Sequence, residues 1–122
     1  ADFLARVNNT PLVNEETFAL CRQTLNSRFN EIVESYFSDG AVYLEAIKCG
    51  IDDRSLICIG QQAHPLKSAS RTLGFMRMFL LAREVEQLCG EGNTAEVVLP
   101  VIEALAVSLS NTLQDTIDTI YN

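Results

Sequence analysis

Leu56, Ile59, Ala63, Leu66, Ser70 and Leu73 recur at alternating spacings of three and four residues, the rhythm that lines one face of an α-helix and seats it in a bundle. Comparable stripes occupy most of the chain. Phe29, Ile32, Val33, Tyr36, Phe37, Tyr43, Leu44 and Ile47 predict a long helix over residues 27–48, with Gly40 inside it and Gly50 marking its end. Phe75, Met78, Phe79, Ala82, Val85 and Cys89 predict another, bounded by Gly74 and by Gly90-Glu91-Gly92. Val98, Val101, Ile102, Leu105, Leu109, Leu113, Ile117 and Ile120 carry the last, with Pro100 expected to kink its first turns. Alternating polar and apolar runs, the mark of strands, are nearly absent, so the fold class is all-α.

Capping residues place the helix starts. Asn14 before Glu15 and Glu16 predicts a short first helix bearing Phe18, Cys21 and Leu25. Asp52 or Asp53 is expected to cap the helix that begins near Leu56, and Asn93 with Glu96 reads as a capping box for the last. The connections are only a few residues long, so successive helices must run antiparallel. The expected architecture is an antiparallel up-down four-helix bundle with an additional short N-terminal helix, the N-terminal segment packing across one end. With 122 residues, 48% of them hydrophobic, the chain can bury one core but cannot hold a cofactor domain beside a substrate domain. It has no internal repeat and no linker, so residues 1–122 are read as a single domain.

Charge narrows the partners. Nine basic residues against 16 acidic, a net charge of −7, argue against nucleic acid and anionic membranes, whose affinity comes from Lys and Arg. Yet between Arg54 and Arg83 the chain carries Arg54, Lys67, Arg71, Arg77 and Arg83 and no Asp or Glu, a local basic surface suited to an anionic partner. The most apolar window, Val97 to Leu109, contains Glu103 and is too short to span a bilayer, so no direct membrane insertion is expected. Cys21, Cys49, Cys58 and Cys89 have neither metal-ligand nor disulfide-framework spacing. They read as reduced, intracellular thiols used as small core hydrophobes, which points to the cytoplasm.

Candidate chemistry is scarce, with no phosphate-binding glycine loop and no metal-ligand cluster. One histidine remains. At about 100° per residue, His64 lies roughly 130° from the centre of the stripe that ends at Leu73, which turns its ring toward solvent. Gly60 and Gln61 stand one turn before it, Lys67 and Ser68 one turn after and Arg71 two turns after, on the same side. An accessible neutral imidazole is a nucleophile near pH 7, able to accept a phosphoryl group. Lys67 is placed to neutralise the added charge, and the Ser68 hydroxyl or the Gln61 amide to bond its oxygens. No acidic residue is expected nearby to orient the ring.

The string Ala63-His64-Pro65-Leu66-Lys67-Ser68-Ala69-Ser70-Arg71-Thr72-Leu73-Gly74 resembles the signature of histidine-containing phosphotransfer (HPt) domains, A-H-x-L-K-[GS]-x-[SA]-x-x-x-G followed by an amphipathic helix. The flanking helices fit as well, so the resemblance covers about residues 15 to 120. It implies a four-helix bundle that takes a phosphoryl group onto His64 from the aspartyl phosphate of a response-regulator receiver domain and passes it to an aspartate of a second receiver. By position, Lys67 becomes the phosphoryl-stabilising cation, Ser68 the small residue that lets the partner approach, and Gly74 a site of close packing at the next joint, counted with the partner-binding set. Ser68 stands where many members have Gly, and Pro65 is unusual, since it strips the Gln61 carbonyl of its helical hydrogen bond and should bend the helix.

Such a domain is a phosphocarrier without an ATP site. No cofactor is expected, the divalent cation belonging to the partner receiver. A monomer is expected, free-standing or as the cytoplasmic module of a hybrid sensor kinase. Ile57, one heptad before His64, is the expected apolar anchor for the receiver, with Gly60 beside it and Arg71 and Arg77 as steering charges. The alternative is a helical adaptor that docks on a receiver and sequesters it without being phosphorylated. An autonomous phosphatase lacks support, because no second acid–base group is in view.

Overall fold

The computed structural model describes residues 2–90 and 92–122, so Glu91, within the predicted Gly90–Gly92 stop, lies outside the described residues. Six α-helices are described: α1 (Asp2–Asn9), α2 (Glu15–Leu25), α3 (Phe29–Asp52), α4 (Leu56–Leu73), α5 (Met76–Leu88) and α6 (Ala95–Tyr121), with a 3-10 turn at Asn26–Arg28. Helix α3 packs on α4 and α6, and α5 packs on the same two. The four long helices therefore close in chain order, with α4 and α6 on opposite corners. This is the up-down bundle that the short connections require.

Most residues of the predicted stripes face inward, but Val101 of α6 is a correction, being 48% exposed. Ile59, Ala63, Leu66, Ser70 and Leu73 of α4 are buried, as are Met78, Ala82 and Val85 of α5 and Val98, Ile102, Leu105, Leu109 and Leu113 of α6. Phe79 is a correction: it is only partly buried, and Leu81 takes the core position. Phe75, fully enclosed at the α4–α5 joint, gathers an aromatic cluster, its ring centroid 4.9 Å from Tyr36 and 5.7 Å from both Phe18 and Phe37. At the α3–α4 turn a Cβ on Gly50 would stand 2.7 Å from Ile59 Cγ1, so only glycine lets the two helices meet there.

Several caps differ from expectation. Asn14 does cap α2, its side chain accepting from the Thr17 N–H. Helix α3, however, runs past Gly50 to Asp52, leaving Ser55 to cap α4 by accepting from the Cys58 N–H. Thr94 occupies the N-cap position of α6, while the Asn93 side chain donates to the Gln87 carbonyl. The cysteines are also corrected. Cys49 and Cys58 are exposed, Cys21 and Cys89 partly buried, and all four are free thiols.

Helix α1 has no counterpart among the sequence expectations, being eight residues long without a capping signal. Its end is tied down by Arg77, which donates to the carbonyls of Thr10 (2.5 Å) and Asn8 (3.1 Å). Beyond it, Met76 N–H donates to the Leu12 carbonyl and Asn14 N–H to the Gly74 carbonyl, so the N-terminal segment lies across the α4–α5 joint. By length and composition α6 as a whole is apolar enough to cross a membrane, which the shorter window Val97–Leu109 did not indicate. In the bundle it serves as a wall, packed on α3 and α5.

One buried polar pair ties α3 to α4. Ser70 Oγ donates to the Leu66 carbonyl at 2.6 Å, which uses its single hydrogen, so the Tyr36 hydroxyl 2.6 Å away must be the donor to Ser70. Burial pushes the Tyr36 phenol well above its ordinary range, the Ser70 bond opposing this only in part. A Ser70→Ala variant leaves that hydroxyl buried without its acceptor and should lose about 1–3 kcal/mol in urea unfolding. Adding Tyr36→Phe should recover part of the loss, and strictly additive losses would show that the two side chains do not act as a pair.

Candidate functional site

Helix α4 presents His64 outward because the residues on its other side are committed to the core. Ala63 and Leu66 are wholly buried, whereas the His64 side chain is 63% exposed. The ring is not free to spin. Its Nδ1 lies 2.6 Å from Glu86 Oε2, and the other oxygen of the same carboxylate lies 2.5 Å from Lys67 Nζ. Glu86 projects from α5, where its neighbour Val85 is fully buried and fixes the helix face. Gly60 brings α4 and α5 together, since a Cβ there would stand 3.3 Å from Cys89 Cβ.

The expectation that no acid would lie near His64 is therefore corrected. Glu86 is 22 residues away in sequence, beyond the acid-free stretch, and returns to the level of His64 because α4 and α5 fold back on each other. The signal was present in outline. A hairpin turning at Gly74 must bring a residue about as far after the turn beside one as far before it, and Glu86 flanks the buried stripe of α5. Periodicity alone gives each helix a face but gives no register between two helices.

An ionised carboxylate only accepts hydrogen bonds, so Nδ1 is the donor, and in the neutral ring the lone pair is then on Nε2. The electrostatics of Glu86 combine opposing effects: partial burial pushes its carboxyl up, but the hydrogen bonds and charges of Lys67 and His64 outweigh it and hold the group below its ordinary range. The Cys89 sulfur, in the same groove, behaves oppositely. Burial, reinforced by the Glu86 charge, pushes the Cys89 thiol up to about 11, leaving it protonated and a poor nucleophile at neutral pH.

Leu56, Ile57, Gly60, Gln61, His64, Glu86 and Cys89 line an open groove of about 470 Å³. Ile57 is 75% exposed at its edge, and Gln61 is exposed on its wall. Ser68 is exposed one turn beyond His64. Arg71, also exposed, lies over the Phe79 ring. Two expected partner contacts are corrected. Arg77 is spent on the carbonyls of the N-terminal segment. Gly74 is buried with φ +84°, and a Cβ there would stand 3.0 Å from the Asn14 carbonyl oxygen and Thr17 Cβ, so its role is to turn the chain against α2. Pro65 sits inside a helix that continues from Leu56 to Leu73. A second cleft, of about 490 Å³ and lined by Phe18, Arg22, Phe29 and Tyr121 among others, shares no residue with this groove.

Compared with known proteins, the chain matches one family model, described as the Hpt domain, over residues 31–120. No curated protein and no solved structure matches it.

Proposed function

The chain belongs to the Hpt domain family, and from that premise we propose that His64 Nε2 accepts a phosphoryl group from the aspartyl phosphate of a response-regulator receiver and hands it to the aspartate of a second receiver. Hpt domains are phosphocarriers of two-component phosphorelays that work with receiver domains. The observation that supports the assignment to this side chain is the contact of His64 Nδ1 with Glu86 on an exposed ring, which in the neutral imidazole directs the free lone pair to Nε2.

In the forward step the Nε2 lone pair attacks phosphorus and the P–O bond to the receiver aspartate breaks. The carboxylate leaves with the electron pair and the N–P bond forms. Nδ1 still carries its proton, so the ring becomes cationic, and the Glu86 carboxylate balances that charge as it develops. Lys67 is held beside the ring by Glu86 until phosphoryl oxygens arrive on Nε2, then serves as their counter-charge. The divalent cation is assigned to the receiver's own pocket, and the remaining work is alignment of nitrogen, phosphorus and leaving oxygen. Ile57, Gly60, Gln61 and Ser68 form the surface on which the receiver seats.

Incubation with a receiver domain charged by acetyl phosphate tests the reading. The expected product is an acid-labile, base-stable phosphoryl adduct on this chain, mapped to His64. Binding without an adduct would instead support the sequestering adaptor. A Lys67→Ala variant should remain folded and transfer about tenfold more slowly, and an unchanged rate in rapid-quench measurements would remove Lys67 from the mechanism.

A further inference from the structure

We infer that Arg71 and Arg83, both drawn against Phe79, form a second cationic contact on the docking face, built to receive a carboxylate from the receiver beside its phosphorylation pocket. The guanidinium carbons of Arg71 and Arg83 lie 5.8 Å and 5.2 Å from the centre of the Phe79 ring. Phe79 is partly buried, while both arginines are exposed. One aromatic side chain thus gathers two exposed guanidinium groups at the surface, a local positive charge that an anionic partner group would offset.

Among the described residues, no carboxylate supplies that anion. The ion pairs among the described residues are Lys48–Glu45, His64–Glu86 and Lys67–Glu86, so the one acid at the site is committed to His64 and Lys67. Among the described residues, Arg71 and Arg83 have no carboxylate within ion-pairing distance.

The position follows from the helix register. His64 faces Glu86 across the α4–α5 seam, and seven residues further along α4, seven back along α5, Arg71 faces Phe79. The same antiparallel register sets Arg83 at the level of Lys67. The arginine pair therefore continues the line of His64 and Lys67, with Arg71 about 10 Å along the helix axis from the nucleophile at 1.5 Å per residue. Phe79 holds both groups on the side away from His64, so they are placed for the rim of a docked receiver and not for the phosphoryl group in transit. A receiver's phosphorylation pocket is acidic, and a planar guanidinium pairs with a carboxylate through two parallel hydrogen bonds.

This inference rests on the relay reading, and phosphoryl transfer from a receiver charged with acetyl phosphate tests both separably. The Arg71→Ala/Arg83→Ala variant should raise the half-saturating receiver concentration about tenfold at low ionic strength, with the loss shrinking as salt screens the contact. The effect should fall on that concentration and not on the maximal rate. Arg71→Lys/Arg83→Lys keeps the charge but loses the forked donors, and should remain impaired by about threefold. Phe79→Leu, which removes the platform and keeps both arginines, should weaken docking in the same direction. A double-alanine variant that docks as the parent does overturns the inference, as does a double-lysine variant indistinguishable from the parent, which would reduce the pair to net charge. A parent chain that accepts nothing from charged receivers overturns the relay reading, and this inference with it.

Discussion

A His64→Gln variant keeps the parent's fold and loses phosphoryl acceptance altogether. The substitution touches no core contact, because the side chain is 63% exposed and the neighbouring buried groups are Ala63 and Leu66. Its unfolding free energy should stay within about 0.5 kcal/mol of the parent, as for other surface changes. Glutamine still offers an N–H toward Glu86, so the ion pair between Glu86 and Lys67 need not rearrange. What it lacks is a nucleophile, since the amide lone pair is delocalised into the carbonyl, whereas a neutral imidazole presents an unshared pair in the ring plane. The rate of adduct formation should drop by at least about 10³-fold. Radiolabel transfer from a charged receiver measures this directly. Residual labelling would have to come from another group, and the thiol in the same groove, Cys89, is pushed up to about 11 by burial and stays protonated. Acceptance at the parent rate would remove His64 from the reaction.

How far the sequence anticipates this site depends on whether a feature is local to one helix. The outward placement of His64 follows from the three-four stripe of its own helix, and the structure agrees, with Ile59, Ala63, Leu66, Ser70 and Leu73 buried and the imidazole exposed. Lys67 at i+3 is legible for the same reason. Glu86 is not, because its distance from His64 depends on how far α5 slides along α4, which packing at Gly60 and Phe75 decides. Arg77 shows the converse. Composition makes it one of a basic run, but its donors are consumed by backbone carbonyls at the end of α1, a helix with no capping signal. Cap assignment failed at α4 because the chain stayed helical through Gly50. Close contact with Ile59 favours glycine at that position inside the helix, and the residue therefore did not mark the helix end.

The second large effect belongs to Glu86. Its carboxylate orients the imidazole through Nδ1, holds Lys67 beside it and offsets the charge that appears on the ring as the N–P bond forms. Glu86→Ala removes all three functions, and transfer should slow by about 10- to 100-fold, the usual cost of losing the partner that orients a functional histidine. Glu86→Gln separates them. The amide oxygen still accepts from Nδ1–H, but it carries no charge to balance the ring or retain Lys67, so its rate should lie between those of the parent and the alanine variant. A Glu86→Ala variant as fast as the parent would mean that the ring needs no orienting group. The pH dependence of folding supplies an independent check. Because the hydrogen bonds and charges of Lys67 and His64 overcome the opposing effect of burial and hold the folded-state value below the ordinary 4.5, the unfolded chain takes up the proton first as pH falls. The contribution of the carboxylate to stability is therefore present above that ordinary value and is lost as pH drops through the lowered one. Urea unfolding of the parent and of Glu86→Gln should differ most near neutrality and converge in acid, where the parent carboxyl is protonated too. A difference that instead grows on acidification would contradict the ion pair on which the orientation of His64 depends.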